Sequence, residues 1–380
     1  MWLAAAAGIV VAASLAACQS GGTGDGTASG SGSGAGGSHT SALKAEIAKY
    51  MGEPKAVAPG PAFDASKARG KTVWVIPTSA SVPIIKLQGD AMAAALEPLG
   101  VKVVNYSADG SPSSWVTSMN QAISNNAGVI VLNGVDPTLV APQLEQAKAA
   151  GIPTIWGFAI EGDPATVAPQ VTATVPLPFN LSAQLMADLA IVNSDKPAQV
   201  QLFGLKTQRQ NPAYTDGITK ALKAGCASCK IAGYSDEPIP NWSQQLTGEV
   251  RNLITSKPNV NVLMPYFDGM VQFIEPGVTQ AGAEGEVKVI THDGTPSVLK
   301  SIKDGKVVVA DVGTSNTWQA WATADQALRV MTGTAPVADE KIPVRIWTKE
   351  NIDQATGDNA EGGYGTSYQD VYKKLWGLAG

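Results

Sequence analysis

The most restrictive feature of this sequence is an alternation of strand-like and helix-like segments that begins near Lys71. Short, continuously apolar runs lie at 72–76, 101–104 and 129–132. Helix-like segments separate them and lie at 84–99, 112–124 and 137–150. The last of these begins with Asp136 and Pro137, which favour the N-cap and first position of a helix. Apolar strands between helices predict a parallel sheet with helices on both faces.

The alternation stops near Val171 and then starts again, which indicates a second lobe. Further helix-like segments lie at 180–193 and 212–223. Further strand-like runs lie at 199–203, 230–234, 260–264, 287–290 and 307–312. A chain of 380 residues also exceeds the ~250–300 residues at which single cores stop growing. We therefore predict an α/β protein with two doubly wound lobes and a ligand cleft where the carboxyl ends of their strands meet.

Composition argues against several function classes. The chain is 44% hydrophobic and 16% charged, with a net charge of -5, which is typical of a globular protein. There is no basic excess to neutralise phosphates, so we expect no nucleic-acid partner. Only two His and three Cys are present, so we expect neither a metal site nor a cofactor.

The N-terminal segment has the character of an export signal. Residues 3–17 are apolar and rich in small side chains, and they are too few to span a bilayer comfortably. They end in Leu15-Ala16-Ala17-Cys18, which resembles the bacterial lipobox. This predicts a signal peptide at 1–17 and a lipid on Cys18 that anchors the protein to the membrane. An ordinary signal peptide with an incidental cysteine is the alternative. The Gly-, Ser- and Pro-rich stretch at 18–70 predicts a flexible tether.

Short motifs spread over residues 71–350 resemble the type I periplasmic binding proteins, in the ribose-binding subgroup. They are Gly128-Val129-Ile130-Val131-Leu132 with Asp136-Pro137, Ala149-Ala150-Gly151-Ile152-Pro153, His292-Asp293-Gly294-Thr295-Pro296, Asp304-Gly305-Lys306 and Thr348-Lys349-Glu350-Asn351. Each motif is weak alone, but their order and spacing together are specific.

The resemblance implies two lobes joined by three crossover strands, near 173–177, 311–314 and 343–347. The first lobe would comprise 71–174 and 314–343, and the second 175–312 and 345–380. It also implies a monomer that captures a small solute and delivers it to the permease and ATPase of an ABC importer.

Three positions match ligand-binding positions of that family. Asp293 ends a strand, where its carboxylate would accept ligand hydroxyls, although it could instead cap the next helix. Trp242 matches an aromatic residue that stacks on a sugar ring, with core packing as the alternative. Asp268 matches the second residue of the family's Asn-Asp pair, and a helix cap is its alternative.

Other positions depart from the sugar-binding pattern. Phe158, Phe267 and Tyr214 stand where charged or amide side chains are usual, and the first loop, which contains Ser81, carries aliphatic residues in place of aromatic ones. We hypothesise that Trp242 and these three rings enclose a ring-shaped solute while Asp293 holds its polar edge. A sugar, polyol or nucleoside-like solute is expected, with a small aromatic or alicyclic compound as the alternative.

Cys226 and Cys229 lie between a helix and a strand, in Gly225-Cys226-Ala227-Ser228-Cys229-Lys230. A redox motif would be expected at the start of a helix in a thioredoxin-like unit, whereas this pair follows one. In an oxidising exterior compartment, a local structural disulfide is the better interpretation.

The sequence also bears on three other function classes. An enzyme is disfavoured because the chain has no Gly-x-Ser-x-Gly elbow, His-Glu-x-x-His motif or phosphate loop. A transcription regulator would need a basic headpiece where the export signal lies. A receptor that feeds a signalling protein stays open, since it would use the same closed lobes as a transporter component.

Overall fold

The computed structural model describes residues 34–161, 168–356 and 361–378. The predicted signal peptide and Cys18 lie outside the described residues. Within the described parts, no helix is both long enough and apolar enough to cross a membrane.

The first lobe is built on a parallel five-stranded sheet in the order β2-β1-β3-β4-β5. Its strands are β1 (Thr72–Pro77), β2 (Lys102–Asn105), β3 (Val129–Asn133), β4 (Thr154–Ala159) and β5 (Ala173–Pro176). Its helices are α2 (Pro83–Leu96), α3 (Pro112–Ser124), α4 (Ala141–Ala149) and α10 (Asn316–Thr332).

Side chains of β1 alternate between the two faces of this sheet, as the period of a strand requires. Val73 and Val75 belong to the core that contains α2, whereas Trp74 and Ile76 pack with α3 in a separate core. The first sheet is thus covered on both faces, as its continuously apolar strands predict.

The second lobe has a six-stranded sheet in the order β11-β10-β9-β8-β6-β7. Its strands are β6 (Gln199–Gly204), β7 (Lys230–Asp236), β8 (Val262–Pro265), β9 (Lys288–Asp293), β10 (Val308–Thr314) and β11 (Val344–Thr348). Its helices are α5 (Phe179–Asn193), α6 (Asn211–Gly225), α7 (Thr247–Ser256), α8 (Val271–Gln280) and α9 (Pro296–Asp304).

Three segments connect the lobes, close to the predicted positions. The chain leaves the first lobe after β5, returns to it from β10 into α10, and re-enters the second lobe along β11. Because β10 and β11 carry the chain in opposite directions, they pair antiparallel, with Asp311 opposite Trp347. The other strand pairs of the second sheet are parallel.

The prediction of a flexible tether up to residue 70 is wrong for the described part of that segment. Helix α1 (Gly34–Ala48) packs against α5, and the Ile47 side chain is buried. Farther along, Ile346 N–H in β11 donates to the Tyr50 carbonyl at 2.8 Å. The physical reason is that β11 is a sheet edge whose unpaired backbone groups gain partners when the chain covers them.

The C-terminal segment also differs from its predicted assignment to the second lobe. Helix α11 (Ser367–Leu375) packs on α10, which belongs to the first lobe. Tyr368 stacks on Trp318 with ring centroids 4.6 Å apart, and Trp376 stacks on Trp321 at 5.2 Å. Burial of these large rings against α10 decides the placement, because aromatic side chains carry the most apolar area per residue.

Cys226 and Cys229 are joined, which confirms the predicted disulfide. The bond links the end of α6 to the turn before β7, at the far end of these elements from the carboxyl ends of the strands. It closes a very short loop, so it constrains little of the unfolded chain.

Candidate functional site

The carboxyl ends of the two sheets face each other and enclose a small cavity. Its volume is about 20 Å³, which is room for roughly one water molecule. The first lobe contributes Thr78, Val82, Ile84, Ile85, Gly134 and Phe158. The second lobe contributes Phe179, Gln208, Gln210, Tyr266 and Phe267. The lobes are therefore closed over the site.

Phe158 is the most unusual backbone position in the cavity lining. Its φ is +54°, in the left-handed region that a bulky residue rarely adopts. The register of β4 against β5 shifts between Gly157 and Ala159, and this irregularity turns the chain at the cleft. Strained residues of this kind concentrate at ligand sites, since the surrounding structure must enforce them.

Two polar contacts hold the lobes together beside the cavity. The Gln210 side-chain amide donates to the Phe158 carbonyl across the cleft. Arg209 Nε lies 3.5 Å from Asp136 Oδ2, and the other carboxylate oxygen of Asp136 accepts from Thr138 N at 2.9 Å. Asp136 is thus the N-cap that its sequence position predicts and also an interlobe ion-pair partner.

Of the predicted ligand residues, Phe158 and Phe267 line the cavity. Tyr214 does not, because its ring is buried in the second lobe with its hydroxyl donating to the Met264 carbonyl at 2.6 Å. Trp242 is also buried and outside the lining, and its indole N–H donates to the Glu237 carbonyl at 2.7 Å. For Trp242, the structure favours core packing over ring stacking in this closed arrangement.

Ser81 is exposed and shares a hydroxyl contact with Ser79 at 2.9 Å. It lies in the loop between β1 and α2. Val82 in that loop and Ile84 and Ile85 in the first turn of α2 line the cavity, whereas Ser81 does not.

Asp268 and Asp293 lie behind the cavity lining. Both oxygens of Asp268 are engaged by the second lobe's own residues: Thr291 Oγ1 donates at 2.8 Å, and the Thr295 N–H and hydroxyl each donate at 2.7 Å. Asp293 pairs with His292 Nδ1 at 3.0 Å and accepts from the Asp268 N–H at 3.4 Å. These carboxylates hold the loops after β8 and β9 in place.

With Asp311 on β10, these residues form a buried group that we call the acid cluster: Asp268, Asp293, Asp311 and His292. Burial, followed by the charge of Asp293, raises the pKa of Asp268 to about 7. Burial, the charge of Asp268 and a hydrogen bond between the two carboxyl groups raise the pKa of Asp311 well above its usual range. Burial lowers the pKa of His292, but the charge of Asp293 and hydrogen bonding outweigh burial and leave that pKa raised.

Asp311 therefore retains its proton at neutral pH, and Asp268 retains its proton in part. In the described part of the chain, no three His, Cys, Asp or Glu side chains are arranged to hold a metal ion. The geometry instead suits a proton-sharing network that fixes backbone turns.

Several lining residues were not predicted from the sequence, above all Gln208, Gln210, Tyr266 and Thr78. Gln208 is buried, and its amide Nε2 has no hydrogen-bond partner among the described residues. Position in the chain is the signal that could have identified Gln208 and Gln210, since residues 205–210 directly follow a buried strand in an open α/β sheet.

Comparison with known proteins agrees with this architecture. Residues 73–335 match the family model described as the periplasmic binding protein domain. The chain is 23% identical over 258 residues to the D-apiose import binding protein of Actinobacillus succinogenes, covering 67% of this chain and 79% of that protein. It is 21% identical over 239 residues to the ribose import binding protein of Salmonella typhimurium, covering 62% and 77% respectively.

Solved structures share the fold. An ABC transporter solute-binding protein of Agrobacterium vitis with bound allitol matches with a TM-score of 0.67 and 17% identity, covering 76% of this chain and 98% of that one. A solute-binding protein of Mycobacterium smegmatis with bound glycerol matches with a TM-score of 0.67 and 18% identity, again covering 76% and 98%. These matches confirm the predicted two-lobed fold. Because the family model matches more than half of this chain, the chain belongs to the periplasmic binding protein domain family.

Proposed function

We propose that this protein is an extracytoplasmic solute-binding protein that captures a small, uncharged solute between its lobes and delivers it to the permease of an ABC transporter. A sugar, polyol or nucleoside-like molecule is the first candidate, and a small aromatic or alicyclic compound the second. The observation that carries the proposal is the enclosed cavity at the carboxyl ends of two sheets, with Phe158 and Phe267 contributed by opposite lobes. The family and the import role of the named relatives support it.

The ion pair between the lobes is weak enough for a bound ligand to control whether they close. Arg209 and Asp136 are partly exposed, and such ion pairs stabilise by only about 0–1 kcal/mol. Because this ion pair adds so little to the closed state, a ligand that binds both lobes would shift the population toward closure. Closure would then signal a loaded protein to the permease.

This mechanism needs no covalent chemistry, so we propose a binding protein and not an enzyme. The test is whether a bound solute is released chemically unchanged, as judged by its mass after incubation with the protein. A sensing role in a signalling system would use the same closure. Deleting the protein and measuring solute uptake separates the two, since only the transport role predicts lost uptake.

We also propose a monomer held at the outer face of the membrane by a lipid on Cys18. The motif Leu15-Ala16-Ala17-Cys18 supports this anchor. Cys18→Ala should move the protein from the membrane fraction to the soluble fraction, with Cys226→Ala as the control that leaves it on the membrane. Equal membrane association of the Cys18→Ala variant and the unaltered protein would contradict the anchor.

Small-angle X-ray scattering tests the central proposal. The radius of gyration of ligand-free protein should fall when a solute is added that also raises the melting temperature. A solute that stabilises the protein without compacting it would argue against capture between the lobes.

A further inference from the structure

The cavity lining carries few polar groups for a site that would hold a polyhydroxylated solute. Seven of its eleven residues are aliphatic or aromatic, and none of the eleven carries a formal charge. The two acids that the sequence assigned to the ligand, Asp268 and Asp293, lie behind the lining and are engaged by second-lobe residues. A hydroxyl-rich solute would therefore find few partners here.

Two of the polar lining residues already form hydrogen bonds within the protein. The Thr78 hydroxyl donates to the Asn133 carbonyl at 3.2 Å, and the Gln210 amide donates to the Phe158 carbonyl. Gln208 differs, because its side chain is only 2% exposed and its Nε2 has no hydrogen-bond partner within 34–161, 168–356 and 361–378. Leaving a buried donor unpaired is unfavourable, so a ligand that supplies one acceptor there recovers that loss.

The rings and the free amide together define a ligand chemistry. Phe158 and Phe267 line the cavity from opposite lobes. Because the closed cavity has room for roughly one water molecule, a solute has to enter the opened cleft, where both side chains offer apolar contact to a small ring. Each further hydroxyl group would be buried without a hydrogen bond, and such burial is unfavourable. A carboxylate or phosphate would be buried without a cation to pair with it.

We infer that the solute is a neutral cyclic compound with an apolar face and one principal hydrogen-bond acceptor, such as a cyclic ketone, a lactam or a ring with a single hydroxyl. This inference rests on the proposed function, because it assigns a ligand class to the same cleft. It selects the aromatic or alicyclic class over the polyhydroxylated solutes that the compared structures contain. Gln208 is the specificity-determining donor in this assignment.

Isothermal titration calorimetry with two sets of probes tests the ligand class. The first set is cyclohexanone, 2-piperidone and cyclohexanol, and the second is D-ribose, D-allose and myo-inositol. At least one probe of the first set should bind ten or more times more tightly than every probe of the second. Tighter binding by any probe of the second set overturns the ligand class and leaves the proposed function standing. No binding by either set, with no small molecule retained on the protein from its native host, overturns both.

Substitution of Gln208 tests the specificity residue. Gln208→Met keeps the size of the side chain and removes the donor, and it should weaken binding of the best ring probe at least tenfold. Gln121→Met on the exposed side of α3 is the matched control and should leave the affinity unchanged. Gln208→Glu is a second variant that separates loss of the donor from a folding defect. It keeps the shape of the side chain and should also weaken binding. Unchanged affinity in a folded Gln208→Met protein overturns the role of this residue.

Discussion

The cavity lining of the second lobe and the acid cluster behind it lie one residue apart and have opposite character. Phe267 faces the cavity, while Asp268 points away from it into a network of hydroxyl and backbone donors. The lining is mostly apolar, whereas the acid cluster concentrates three carboxyl groups and a histidine in a buried space. In this lobe, the ionisable groups shape the loops of the site, and the apolar groups form its surface.

These roles of the ionisable and apolar groups differ from those that the sequence suggests. A strand-end Asp in this kind of fold is expected to contact the ligand, and the aromatic residues nearby are expected to stack on it. Here Asp293 has a φ of +114° and pairs with His292, so its carboxylate is directed into the lobe. The comparison predicts that substitutions in the acid cluster change stability most, whereas those in the lining change affinity most.

The largest expected effect on stability is that of Asp268→Ala. The change leaves two threonine hydroxyls and the Thr295 N–H without their acceptor in a buried site. At about 1 kcal/mol or more for each lost hydrogen bond, the free energy of unfolding should fall by about 3 kcal/mol. Urea denaturation measures it. Asp304→Ala, in an exposed ion pair on α9, is the control and should cost less than about 1 kcal/mol.

The next effect is a dependence of stability on pH. The pKa of Asp268 rises from 3.8 to about 7 on folding, so between these values the folded state binds a proton that the unfolded state has lost. Stability therefore falls as pH increases through this window, by up to about 1.4 kcal/mol per pH unit for this group. The raised pKa values of Asp311 and His292 act in the same direction.

We expect the protein to unfold at a higher urea concentration at pH 5 than at pH 7. Asp268→Asn should flatten this slope, because the amide does not titrate. A stability that increases from pH 5 to pH 7 would contradict the raised pKa values of Asp268 and Asp311.

A smaller effect, on solute affinity, is expected at Phe158. Removal of its ring should weaken binding of a ring-shaped solute about tenfold, since the lining loses the aromatic side chain that the first lobe contributes. The variants Phe158→Ala and Phe158→Asn separate this loss from the backbone strain. Because Asn tolerates a φ of +54° better than Ala does, the Asn variant should be the more stable by about 1 kcal/mol. If the two variants were equally stable, the backbone of residue 158 would not be strained.

The smallest effect is expected at the interlobe ion pair. Arg209→Ala should leave the lining intact and weaken solute binding by no more than about fivefold, because the closed state loses a contact worth about 0.2–1 kcal/mol. Lys86→Ala removes an ion pair within the first lobe and should leave affinity unchanged. A loss of affinity in both variants to the same extent would argue against a specific closing role for Arg209.

Much of the fold was predictable because its signals are local. The apolar runs before Thr78 and Gly134 locate strands that the structure confirms, and Asp136 caps the segment that it precedes. The same holds for the disulfide of Cys226 and Cys229, whose spacing already brings the two residues close.

Predictions of side-chain direction were less successful. Tyr214 and Trp242 were assigned to the site by family position, yet each satisfies its polar atom with a backbone carbonyl inside the second lobe. Nothing in the local sequence distinguishes a ring that faces the cleft from one that faces the core. The packing of 34–70 and of α11 was missed for a similar reason, since their partners lie far away in the chain.

The amino-acid sequence by itself determined the order of strands and helices, the two lobes and the location of the cleft, because hydrophobic periodicity and capping residues act over a few positions. Only the tertiary structure decided which side chains line that cleft. Thr78 and Gln208 meet at one cavity although they are distant in sequence, because two separate sheets present their carboxyl ends to each other. Whether the buried carboxylate of Asp268 faces solute or protein depends on donors far away in the chain, Thr291 and Thr295, and a local sequence pattern does not show which contact forms.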